Sequence, residues 1–145
     1  MQSMIILGAG MVGGVMAEDL VADEGREVAI IDFSAERPAR VESRTSGAVR
    51  TIQADCGDTS LITSIVKDYD MVLGALPSRF GFAMLEAIID LGKHYCDISF
   101  MPEDAWELDE KAAAAGVIAL VDCGVAPGMS NLQAGLAARL LDPCH

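Results

Sequence analysis

Three glycines and one acid carry the first chemistry legible in this chain. Gly8-Ala9-Gly10-Met11-Val12-Gly13 follows the short apolar run Met4-Ile5-Ile6-Leu7 and precedes a helix-like stretch. A second apolar run, Glu27-Val28-Ala29-Ile30-Ile31, closes on Asp32, 19 residues after Gly13. That is close to the usual ~20 between a phosphate-binding turn and the carboxylate that holds a ribose diol. Gly8 permits a tight turn out of the strand, and Gly10 lets a pyrophosphate reach the backbone without a Cβ in the way. Gly13 lets the helix approach the sheet. The helix start, at Met11 and Val12, adds unsatisfied N–H donors and roughly half a positive charge. Asp32 can accept two hydrogen bonds from a ribose diol and repels a 2′-phosphate, so NAD is favoured over NADP. Arg37 and Arg40 follow closely and keep NADP open. A glycine turn alone is weak evidence; its place between strand and helix, with the acid at the next strand end, makes it specific.

The elements that must position these residues alternate along the whole chain. Strand-like runs occupy 4–7, 27–31, 49–53, 70–74, 94–98 and 117–122. Helix-like stretches lie at 11–24, 35–46, 58–68, 79–92, 103–115 and 130–141. The alternation predicts an α/β Rossmann fold: a doubly wound, parallel, six-stranded sheet of order 3-2-1-4-5-6 with helices on both faces. One domain over residues 1–141 is expected, with 142–145 as a terminal tail. Asp58-Thr59-Ser60 reads as a helix start, and Ser78 as a cap behind Pro77. Pro102 with Glu103 and Asp104 reads as a first helical turn. Gly92 and Gly116 read as helix stops.

Ligands of such sheets bind beyond the carboxyl ends of the strands. Asp55 and Cys56 follow the third strand, where they can meet an adenine or simply make a turn with Gly57. Ala75, Leu76 and Pro77 follow the fourth, small enough to let a second ribose pass. Asp97 and Asp122 close the fifth and sixth. His94 starts its strand on the opposite rim, which argues against a general base, and His145 sits at the terminus. Cysteines stand at 56, 96, 123 and 144 without a C-x-x-C pair, so no metal site is expected and free thiols are.

Composition narrows the class. With 145 residues, the chain suffices for one domain with a core. Apolar residues make up 52% and aromatics 5%, as expected of an aliphatic core around a parallel sheet. The formal charge of −12 argues against nucleic acid and anionic membrane partners. No run approaches the ~20 apolar residues of a membrane span, and the N-terminus lacks the pattern of a signal peptide. A cytoplasmic protein is expected.

The last third is more selective. It contains Gly92-Lys93-His94-Tyr95-Cys96-Asp97-Ile98-Ser99 and Val121-Asp122-Cys123-Gly124-Val125-Ala126-Pro127-Gly128-Met129-Ser130-Asn131. With the glycine turn and Val72-Leu73-Gly74-Ala75-Leu76-Pro77, the chain resembles the saccharopine dehydrogenase-like family, nearest to its lysine 6-dehydrogenase type. The resemblance covers essentially the whole chain. It implies an NAD(P)-dependent oxidoreductase acting on a C–N bond of an amino acid or opine. By that resemblance Gly8, Gly10, Met11, Val12 and Gly13 serve the pyrophosphate, Asp32 the ribose, and Asp55 and Cys56 the adenine. Ala75, Leu76 and Pro77 flank the nicotinamide half. Asp97, Asp122, Gly124, Pro127 and Gly128 face substrate, and no catalytic base is identified.

Family enzymes carry a second, substrate-binding domain, which residues 1–145 do not contain. The expectation is therefore cofactor binding with little dehydrogenase activity from these residues alone. They would be completed by a substrate domain or partner, or paired as a homodimer through Leu132, Leu136, Leu140 and Leu141. Two other classes compete. A stand-alone nucleotide-sensing regulatory domain of a potassium transport system shares the opening turn, the strand-end acid and the length. It has no need of the Ala126–Asn131 turn. A methyltransferase would carry glycine two residues beyond Gly10, where this chain has Val12.

Overall fold

The computed structural model describes residues 2–141; the 142–145 tail, with Cys144 and His145, lies outside the described residues. Strands and helices alternate as β1 Gln2–Leu7, α1 Met11–Ala22, β2 Arg26–Asp32, α2 Glu36–Arg44, β3 Val49–Gln53 and α3 Thr59–Val66. They continue as β4 Met71–Gly74, α4 Gly81–Asp90, β5 His94–Asp97, α5 Asp109–Ala115, β6 Ala119–Leu120 and α6 Ser130–Leu140. The six strands form one sheet of order β3-β2-β1-β4-β5-β6, and every neighbouring pair is parallel. This is the doubly wound Rossmann arrangement read from the sequence.

The unbroken apolar run of β1 follows from its central place. Ile5 and Leu7 point into a core under α3 and α4, while Met4 and Ile6 point into a second core under α1 and α2. A strand buried on both faces has no polar positions to alternate with. Each fully buried Ile or Leu contributes about 1.5–3 kcal/mol relative to exposure. Register places Leu7 beside Ile31 on one side and Gly74 on the other. The carboxyl ends of β1, β2 and β4 therefore open together.

Local signals held in part. The Asp58 carboxylate accepts from the Leu61 N–H and caps α3. Gly92 and Gly116 adopt left-handed backbone, φ +65° and +68°, where α4 and α5 stop. Pro38 falls inside the first turn of α2, where no intrahelical N–H is required. Ser78 does not cap by its side chain; it opens a short 3₁₀ turn, Ser78–Phe80, ahead of α4. Pro102 and Glu103 precede a short 3₁₀ turn, Ala105–Leu108, that leads into α5, and Asp104 caps that turn by accepting from the Trp106 N–H. The sixth strand is only two residues long, because Asp122 turns into left-handed backbone, φ +58°. His94 accepts the Ile118 N–H at its Nδ1, 3.0 Å, and so ties β5 to the chain entering β6. α6 is exposed along its length, with its close packing against the Val125–Met129 turn that precedes it.

Candidate cofactor site

Gly8 leaves β1 with φ +102°, a conformation that a side chain rarely adopts, and a Cβ there would stand 2.6 Å from the Ala75 carbonyl. A Cβ on Gly13 would collide with the Gly8 carbonyl. These two glycines are demanded by the protein itself. Gly10 is not. Its φ is an ordinary −72°, and a Cβ would meet nothing within 4 Å. Gly10 is the N-cap of α1 with no side chain bonded to the helix start. The N–H groups at the start of α1 are thus left without a side-chain cap, beside a residue whose Cβ position is open, the arrangement that suits a pyrophosphate.

Asp32 holds this turn from the next strand. It is 4% exposed. Its Oδ2 accepts the Ala9 N–H at 2.9 Å, and its Oδ1 accepts the Ser34 N–H at 2.9 Å. The Arg37 guanidinium lies 3.6 Å from Oδ2 and stacks over the exposed Phe33 ring, 5.4 Å to its centre. The ribose carboxylate of the sequence reading is thus also the clamp that joins β2 to the glycine turn.

A cleft of about 560 Å³ runs past Asp32 along the carboxyl ends of the strands. Gly8, Gly10, Asp32, Asp55, Cys56, Ala75, Leu76 and Pro77 all line it, together with Phe33, Arg37, Gly57, Arg79 and Phe80. Asp55 serves both readings offered for it: its Oδ1 accepts the Gly57 N–H at 2.8 Å, and the residue still borders the cleft. Burial, reinforced by the Asp32 and Asp55 carboxylates, pushes the Cys56 thiol up to about 12. It is an inert wall, not a nucleophile. Arg79 and Phe80 escaped the sequence reading. The Arg79 guanidinium lies over the Phe80 ring, 4.4 Å to its centre, and an Arg-aromatic pair two residues after Pro77 was the available signal. A second cleft, about 780 Å³, is lined by Ala9, Gly10, Met11, Arg37, Arg40, Ser43 and Arg44. Its arginines already face carboxylates: Arg40 lies 3.3 Å from Glu36, and Arg44 lies 2.8 Å from Glu18.

Other expected residues fall elsewhere. Val12 lines neither cleft, and Gly13 is buried beneath the turn as a spacer. Asp97, expected to face substrate, is 1% exposed and points inward. It accepts the Ser99 hydroxyl and the Ser99 N–H, and it lies beside Gly74 and the buried Tyr95 hydroxyl. Burial holds its pKa above the usual carboxylate range. Asp122 borders a separate, mostly apolar cavity of about 550 Å³ between α4, α5 and β6, which includes Leu85, Trp106 and Val121. Gly124, Pro127 and Gly128 are half-buried in the turn that follows. The structure gathers eight of the eleven expected cofactor residues into one cleft, leaving out Met11, Val12 and Gly13, and it leaves the five substrate-side residues outside that cleft as well.

Comparison with known proteins agrees with this geometry. Residues 4–120 match the family described as the saccharopine dehydrogenase NADP binding domain. A saccharopine dehydrogenase [NADP(+), L-glutamate-forming] of Schizosaccharomyces pombe is 26% identical over 92% of this chain and 30% of its own length. The apo saccharopine dehydrogenase (L-Glu forming) of Saccharomyces cerevisiae superposes with a TM-score of 0.84 at 19% identity, covering 97% of this chain and 31% of that one. Quinate dehydrogenase of Corynebacterium glutamicum, in complex with NAD, superposes at 0.64 with 22% identity, covering 99% of this chain and 50% of that one. The chain spans about a third of the length of the saccharopine dehydrogenases it matches.

Proposed function

The chain belongs to the saccharopine dehydrogenase NADP binding domain family, and from that membership we propose that it holds the dinucleotide of an oxidoreductase acting on a C–N bond of an amino acid or opine. Gly10 carries the reading. The protein packs nothing against it, so the glycine is explained by what must approach the uncapped start of α1. When bound, the nicotinamide supplies a hydride acceptor for the substrate carbon that bears nitrogen. The chain's own residues bind and orient. The α1 N–H groups hold the pyrophosphate, Asp32 holds the adenosine ribose, and Asp55 and Cys56 border the adenine. Ala75, Leu76 and Pro77 give the nicotinamide half an uncharged wall.

Asp32 supports a preference for NAD. A 2′-phosphate would enter beside a buried carboxylate whose nearest cation, Arg37, is already engaged with it. The Ala75-Leu76-Pro77 wall offers no group that moves a proton, which supports a reading in which this segment holds cofactor and the proton transfer is served from elsewhere. The exposed Leu132, Leu136, Leu140 and Leu141 of the last segment favour pairing of two copies.

Calorimetric titration with NAD, NADP, ATP and adenosylmethionine on one preparation tests the proposal. Binding is expected for NAD first and NADP second. Tight ATP binding with no response to NADH would replace the proposal with a nucleotide sensor. Steady turnover of L-lysine or saccharopine with NAD by the purified chain would overturn the claim that these residues only hold cofactor.

A further inference from the structure

The carboxyl ends of β5 and β6 bring together two thiols that the cofactor cleft does not use. Cys96 pairs in register with Leu120. The left-handed Asp122 then advances the chain by one residue. As a result the Cys123 N–H donates to the Asp97 carbonyl, 2.9 Å. This offset sets Cys123 diagonally across from Cys96 on the adjoining segment at the sheet edge. Cys123 is exposed, its S–H directed at the Val121 carbonyl at 3.5 Å, and Cys96 is half-buried. Among the described residues no group of three or more His, Cys, Asp or Glu could hold a metal ion. The pair therefore lacks the further ligands of a soft-metal site.

We propose that Cys96 and Cys123 form a reversible dithiol–disulfide site that exchanges with small-molecule disulfides of the glutathione type. The exposed Cys123 thiolate attacks one sulfur of the reagent and releases the first small thiol. Cys96 then loses its proton to solvent and attacks the Cys123 sulfur of the mixed disulfide, releasing the second thiol. Two protein thiols are oxidised, one S–S bond forms between them, and the reagent disulfide is reduced to two thiols. The new bond ties the end of β5 to the turn that leads into α6. Burial and the neighbouring sulfur push the Cys96 thiol up to about 11, so the thiolate that closes the bond in the second step becomes more abundant as pH rises.

The test uses the intact chain, incubated without denaturant in oxidised glutathione at pH 7, 8 and 9, blocked with a maleimide and digested with trypsin. Residues 94–111 and 112–139 are separate tryptic peptides holding one cysteine each. The expected product is these two peptides joined, 2 Da below the sum of their reduced masses, forming faster as pH rises. Cys123→Ser is expected to leave Cys96 unoxidised in a chain that still folds. A mixed disulfide on Cys123 that persists at pH 9 would overturn the site. So would a bond from Cys123 to Cys56 or Cys144, or a bond between two copies.

Discussion

Replacing Asp32 perturbs two properties that the structure places on one carboxylate, and they can be measured apart. Asp32→Ala strips the acceptor from the buried Ala9 N–H and from the half-buried Ser34 N–H. A buried donor left without a partner costs about 1–3 kcal/mol, and a donor that water can reach costs less. The half-exposed Arg37 pair at 3.6 Å adds little. The sum is about 2–4 kcal/mol, which for a domain of this size lowers Tm by roughly 5–15 °C. Asp32→Asn keeps the shape but turns its amide N–H₂ towards one of the two N–H donors, so an intermediate loss is expected. A ribose hydrogen bond to a charged acceptor contributes about 1.5–3 kcal/mol, so either variant should weaken NAD binding at least about tenfold. Both should also narrow the gap between NAD and NADP. Thermal unfolding and calorimetry on the same preparations read the two effects. A Tm within 2 °C of the parent chain for Asp32→Ala would refute the clamp, and an unchanged NAD affinity for Asp32→Asn would refute the ribose contact.

Gly10→Ala and Gly13→Ala should separate in the same assays. The Gly10 variant keeps its Tm within a few degrees yet loses cofactor affinity about tenfold or more, because its Cβ meets only the space a ligand would take. The Gly13 variant unfolds at clearly lower temperature, because its Cβ meets the Gly8 carbonyl. Cys56 should resist alkylation at pH 8 in the folded chain and react fully after denaturation. Its folded pKa, about 12, stands above the ordinary 9.0. Between those values the unfolded state loses its proton first, so this thiol's share of stability falls as pH rises through that window; a Cys56→Ala variant with the same alkaline decline would refute this. Light scattering at high concentration should report pairing of copies, reduced in a Leu132→Gln/Leu136→Gln double variant. A monomer throughout would remove the apolar stripe as its cause.

The fold was legible because its signals were strong and consistent. A doubly buried strand has to be a continuous apolar run, and Met4–Leu7 and Val28–Ile31 are such runs. The glycine turn was legible because its backbone geometry excludes side chains at Gly8 and Gly13. The inward turn of Asp97 was not legible. A strand residue points to one face or the other, and a carboxylate at a carboxyl end reads as cleft-facing until its burial by Ser99 and Gly74 is seen. The clamp role of Asp32 was hidden for a related reason. Its partners are backbone N–H groups, which no side-chain pattern announces. The early end of β6 was hidden because Val117–Val121 is an apolar run like the others, and the left-handed turn at Asp122 leaves no mark in composition.

The sheet's pairing is uneven in a way that sets its order of opening. β1 is paired with β2 over six positions and with β4 over four, whereas β6 holds β5 through two register pairs and is exposed at Leu120. Local unfolding starts where buried apolar contacts and protected backbone bonds are fewest. Hydrogen exchange should therefore be slowest in β1, β2 and β4 and fastest from β6 through α6. The cleft past Asp32 sits on the slow unit, so it should keep its shape when the far edge opens. The Gly124–Met129 turn belongs to the fast unit, so it should rearrange without disturbing that cleft.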